Sequence, residues 1–98
     1  MFSIKKQEFD EIAMNDFWIW FKNNQSNNIL QIVKEMQSKF DKICPQNAWF
    51  DLGFDSNRNK GSIVFWADGS RNSRKCIERL VALAPSDINE NWTLRVEN

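Results

Sequence analysis

Apolar positions along the chain change their period twice. Between positions 8 and 23, Phe9, Ile12, Ala13, Phe17, Trp20 and Phe21 recur at helical spacing, which predicts an amphipathic helix. Glu8, Asp10 and Glu11 stand where an acidic first turn complements the helix dipole. Phe17-Trp18-Ile19-Trp20-Phe21 is apolar on every side, so that end is expected to be enclosed from more than one direction. Asn23 to Asn28 forms a polar break. Ile29, Ile32, Val33, Met36, Phe40 and Ile43 then make the stripe of a second helix, with Lys34, Gln37, Lys39, Asp41 and Lys42 away from it. Ser26 or Asn28 can cap its start. Glu35 and Lys39 form an i,i+4 pair, and Pro45 closes the helix at Cys44.

After Pro45 the period becomes two. Ala48 to Asp55 alternates, with Phe50, Leu52 and Phe54 on one face and Trp49, Asp51 and Asp55 on the other. The turn-rich run Asp55 to Gly61 leads into a second strand, Ser62 to Ala67, so the two read as a hairpin. Asp68 to Ser73 is another turn. A third helix is expected to be capped by Ser73, to bury Ile77, Leu80, Val81 and Ala84, and to stop before Pro85. Asn91 to Glu97 alternates again, with Trp92, Leu94 and Val96 inward and Thr93 and Arg95 outward. The order α-α-β-β-α-β predicts an α+β, two-layer α/β sandwich of one domain spanning residues 1–98. Its three-stranded sheet is expected to be antiparallel in order 2-1-3, a ferredoxin-like variant with a split crossover.

Phe17-Trp18-Ile19-Trp20-Phe21, Ala67-Asp68-Gly69, and Leu80-Val81 with Ala84-Pro85 ahead of Trp92 resemble a group of small uncharacterised bacterial proteins. Members share an FW-x-WF helix, a strand ending in ADG and an LV-x-x-AP helix end before a Trp-bearing strand. The resemblance covers residues 16–97 and implies an α+β fold and a bacterial source. It brings no activity with it.

Composition narrows the chemistry. At 98 residues the chain fits one domain, and its 42% of hydrophobic residues suffices for a core. It has no His, which removes His-based acid–base catalysis, Ser-His and Cys-His couples and His metal ligands. Thirteen basic and thirteen acidic residues balance, so no general pull towards nucleic acid or anionic membrane exists. No apolar run approaches the ~18 residues of a membrane span. Met1 to Lys6 lacks the apolar core of a secretory leader, so a cytoplasmic location is expected, with Cys44 and Cys76 as reduced thiols.

Three features remain as candidate chemistry. Trp49 and Asp51 share one side of the first strand, Val64 and Trp66 one side of the second, and Thr93 and Arg95 the outer side of the last. With helices stacked on the other face, these six residues form an expected interaction surface for a protein partner or a homodimer. Its indoles offer an alternative, stacking on nucleic-acid bases. Against this, Arg58 and Lys60 lie at one end of the sheet, Arg71, Arg74 and Lys75 about 20 Å away at the other, and Asp51 between them. Ser70, Arg71, Ser73, Arg74 and Lys75 at a helix start make a candidate anion site, although a plain Ser73 cap with solvated cations explains them too. Asp55-x-Asn57-x-Asn59-x-Gly61 begins like a calcium loop but places its glycine one residue late and Trp66 where the bidentate Glu belongs. Neither metal nor cofactor is expected. Catalysis stands third among the readings: Asp51 and Asp55 lie about 13 Å apart along the strand, too far for a carboxylate pair.

Overall fold

A computed structural model describes residues 9–45 and 47–98. Within them the order is α1 (Glu11–Asn24), α2 (Ile29–Ile43), β1 (Trp49–Asp55), β2 (Lys60–Trp66), α3 (Arg71–Ala82), α4 (Ser86–Asn91) and β3 (Trp92–Glu97). The fold is mixed helix and strand, an α+β arrangement around one three-stranded open sheet.

The first three helices start where short polar side chains take up free backbone N–H groups. Asp10 accepts from Ala13 N at 3.0 Å, Asn28 from Leu30 N at 2.9 Å and Ser70 from Ser73 N at 3.2 Å. The third helix is therefore capped by Ser70, not by Ser73 as expected. Ser73 is wholly buried, and its hydroxyl donates to Asn47 Oδ1 at 2.9 Å. The expected acidic turn residue Glu8 lies outside the described residues. The short α4, not anticipated from the sequence, fills the crossover behind Pro85 and buries Ile88.

The first helix buries a different stripe from the one expected. Met14, Phe17, Trp18 and Phe21 face the core, while Ile12 is 77% exposed. The aromatic run admits two overlapping stripes of helical period, one with Trp20 and one with Trp18, and the fold buries the one with Trp18. Trp18 meets Phe65 edge-on at 6.5 Å and donates its indole N–H to Leu80 O at 2.8 Å, so burial leaves no polar atom stranded. In α2, Ile32, Met36 and Phe40 are buried as expected. Glu35 and Lys39 do not bridge each other directly; both engage Trp20. Its indole donates to Glu35 at 3.1 Å, and the Lys39 ammonium lies 5.5 Å over the ring.

The sheet order is β1-β2-β3, with β1 and β2 antiparallel and β3 parallel to β2. This corrects the expected order 2-1-3 and its all-antiparallel sheet: β2, α3, α4 and β3 form an unsplit β-α-β unit, not a ferredoxin-like split crossover. The physical reason lies in composition. Strand β2 carries Ile63, Val64, Phe65 and Trp66 in succession, which suits the centre of a sheet, whereas β1 carries Asp51, Gly53 and Asp55 and suits an edge. Gly61 then locks the neighbour in place. It pairs with Trp92, and a Cβ at Gly61 would meet that indole at 2.5 Å. Only glycine lets the ring lie across β2 while its N–H reaches Gln25 Oε1 at 2.9 Å.

Phe50, Ile63 and Phe65 bury the inner sheet face under the helices, with Leu94 and Val96 packed against the same cluster. Phe54 shares that side by alternation but is 64% exposed on the edge strand β1. Two ion pairs tie the helical layer together: Arg79 to Glu11 at 2.7 Å, and Lys22 to Asp87. The hydrogen bond from each cation holds its carboxyl below the usual carboxylate range. Depressed folded values mean that the contribution is complete above the ordinary carboxylate range and is lost as the pH falls through the folded values. Stability is therefore expected to decline in acid, and Arg79→Met to flatten part of that decline. Urea midpoints at neutral pH and near pH 3 would measure it; an unchanged acid slope in the variant would show that the Glu11 pair contributes nothing.

Candidate functional site

The six residues expected on the outer sheet face do share that face. Pairing sets Trp49 opposite Trp66, and Asp51 opposite Val64. On the other side of β2, Val64 pairs with Arg95 and Ser62 with Thr93. Phe50, Phe65 and Val96 form one cross-strand row towards the helices, so their sequence neighbours point the opposite way. Trp18 of α1 packs on the helical side, against Phe65, so α1 does not cover the outer indoles.

The two outer tryptophans stack with ring centroids 5.2 Å apart and planes 12° from parallel. Trp49, on the edge strand, is 43% exposed, and Trp66 in the central strand is half-buried. The Trp66 indole N–H is sealed from solvent and has no hydrogen-bond partner, alone among buried side-chain polar atoms of the described residues. Such an orphan costs roughly 1–3 kcal/mol. Three other indoles are satisfied, by Leu80 O, Glu35 and Gln25.

Charge is interleaved across the face. Asp51, Val64 and Arg95 form one row, acidic at one edge, apolar in the middle and basic at the other. Arg95 pairs with Glu97 two residues on at 2.7 Å, in an exposed contact of the kind that adds little. Towards the hairpin, Thr93 donates to Asp55 Oδ2 at 3.2 Å, and Arg58 lies 3.8 Å from the same oxygen. Here Asp55, Arg58, Ser62, Thr93 and Arg95 line a shallow depression of about 590 Å³. Asp55 Oδ1 accepts from the backbone N–H groups of Asn57 and Arg58, so the segment that starts like a calcium loop uses its first carboxylate as a turn-forming group.

The candidate anion site is dispersed. Ser70 is spent as a helix cap, Ser73 points into the protein, and Arg74 is held by Glu78 at 3.1 Å and by Asn98. Arg71 and Lys75 remain exposed, without the serine hydroxyls that would converge on an anion beside them.

Two features were not singled out from the sequence. Cys44 and Cys76, 32 positions apart, bring their sulfurs to 2.7 Å in the interior. Leu30 on α2 is 78% exposed, with Val33 on the same helix partly so, over a shallow surface that also includes Gln37. This corrects the expected stripe of α2: Ile29 and Val33, placed in it by their spacing, are 54% and 37% exposed, while Leu30 stood outside it already.

Among the described residues, no helix is long and apolar enough to cross a membrane, and no group of three or more Cys, Asp or Glu could hold a metal ion. No family model, curated protein or solved structure matches the chain.

Proposed function

We propose that this chain is a protein-interaction module that self-associates through its outer sheet face. The observation that carries the reading is the Trp49–Trp66 stack, with Trp49 43% exposed on a sheet face that α1 does not cover.

The charge row points to a second copy as the occupant. A two-fold axis parallel to the strands and over Val64 places each Asp51 against Arg95 of the second copy. An axis across the strands would instead set Asp51 on Asp51. The first arrangement also lays Trp66 over its symmetry mate and keeps the strands of the two sheets aligned, as in a β-sandwich. Arg95 gives up only its exposed contact with Glu97 to reach Asp51. Asp51 and Glu97 leave the face without the positive excess that phosphate binding draws on.

Sedimentation equilibrium tests this directly. The parent chain is expected to dimerise, and Trp66→Ser to weaken the dimer while the far-UV circular dichroism stays native. Asp51→Arg and Arg95→Asp, each alone, juxtapose like charges and are expected to weaken association about tenfold, roughly 1.4 kcal/mol. The double exchange should restore it. A chain that stays monomeric at high concentration would sink self-association. A dimer indifferent to all three single changes would move the interface elsewhere.

A further inference from the structure

Cys44 terminates α2 and Cys76 lies within α3, and the two sulfurs meet at 2.7 Å. Cys76 Sγ also lies 3.3 Å from Ile43 O, positioned to donate to it, which leaves the Cys44 thiol as the donor between the sulfurs. A formed disulfide has an S–S distance of ~2.05 Å, so bonding asks for a shift of less than an ångström. Both residues are almost fully buried, Cys44 at 5% and Cys76 at 3% exposure, so exposure does not rank them and the cleft does. A cleft of about 430 Å³, lined by Phe9, Ile43, Pro45, Asn72, Lys75 and Cys76, opens on Cys76 and not on Cys44. We propose that Cys44 and Cys76 are a dithiol–disulfide couple that closes by exchange with a small-molecule disulfide entering the cleft beside Cys76.

The chemistry assigns a role to each sulfur. Cys76, reached from the cleft, loses its proton to water and attacks one sulfur of the incoming disulfide RSSR. An S–S bond forms between Cys76 and one half, and the other half leaves as RS⁻ and takes up a proton. Cys44 then loses its proton and attacks Cys76 Sγ, expelling the second RS⁻. The balance is two protein thiols and one RSSR giving one protein disulfide and two RSH, with the protein oxidised and the small molecule reduced. The hydrogen bond from Cys44 favours the thiolate at Cys76, while that contact and burial hold Cys44 protonated until its turn. Lys75 on the cleft wall favours a disulfide that carries carboxylates, such as oxidised glutathione.

Closure would join α2 to α3 around the whole β1–β2 hairpin. The cross-link removes freedom from the unfolded chain, so the oxidised form is expected to melt about 15 °C or more above the reduced form.

Oxidised glutathione applied to the folded chain is the test, read by thiol titration and intact mass. The parent is expected to lose both thiols and a mass of two hydrogens, with no glutathione retained. Cys44→Ser should stop at one retained glutathione on Cys76. Cys76→Ser should stay unmodified while folded. Alanine replaces serine wherever circular dichroism shows that a serine variant has not folded. The proposal is overturned if the folded parent keeps both thiols under conditions that oxidise the urea-unfolded chain. It is equally overturned if the two single variants take up glutathione to the same extent, since the cleft then confers no order on the pair.

Discussion

Trp18→Ala is expected to lower stability by about 3–5 kcal/mol, the largest loss from any single truncation in this chain. Trp18 is the biggest fully buried side chain. Phe17, Phe21 and Phe65 pack edge-on around it at 5.0–6.5 Å, and its N–H joins α1 to the end of α3 through Leu80 O. Leu80 O belongs to the last turn of α3, where carbonyls lack partners within the helix. It retains the Leu83 N–H at 3.2 Å, so the cost of truncation comes mainly from the cavity and the lost ring contacts. A domain of this size has only about 5–15 kcal/mol in total, so the truncation is expected to remove a large share of it. Trp18→Phe keeps an aromatic ring but not the N–H, and should fall between the parent and alanine. Urea unfolding followed by circular dichroism measures both. A loss below about 1 kcal/mol for alanine would mean that the helical layer does not hang on this ring.

Gly61→Ala is expected to cost about 1–3 kcal/mol, far more than adding a methyl to an open strand position. The new Cβ would sit 2.5–2.9 Å from three carbons of the Trp92 ring. That ring has little room to yield, because Phe21 meets it edge-on at 4.9 Å and Gln25 holds its N–H. Gly53→Ala serves as the control: its Cβ meets only the Ser62 hydroxyl at 3.1 Å, which can rotate aside. In a Trp92→Leu background the Gly61→Ala penalty should shrink, and the difference reports the coupling between β2 and β3. Equal penalties with and without the indole would contradict the pairing of these two strands.

The face composed of Trp49, Asp51, Val64, Trp66, Thr93 and Arg95 was legible because alternation is a local property. Once a strand is recognised, residues two apart share a side whatever the strand's neighbours are. The Asp51–Val64–Arg95 row was not legible, because it exists only when β2 lies between β1 and β3. The candidate anion cluster failed for a related reason. Ser70, Ser73 and Arg74 are close in sequence, but a helix turns about 100° per residue and sends them to a cap, the interior and Glu78 respectively. The cysteine pair is the opposite case: Cys44 and Cys76 are far apart in sequence, and nothing in the spacing marks them as neighbours.

By itself the sequence determined that α1, α2, α3 and three strands exist, where Pro45 and Pro85 interrupt them, and which strand residues share a side. Each of these follows from periodicity, capping and proline sterics, which act over a few residues. The tertiary structure alone decided the strand order, the buried stripe of α1, the capping of α3 by Ser70, and the meeting of Cys44 with Cys76. These are competitions between alternatives that local preference rates alike. They are settled by contacts across the chain: the Trp18 N–H reaching Leu80 O, the Trp92 ring lying across Gly61, and the most apolar strand taking the centre of the sheet.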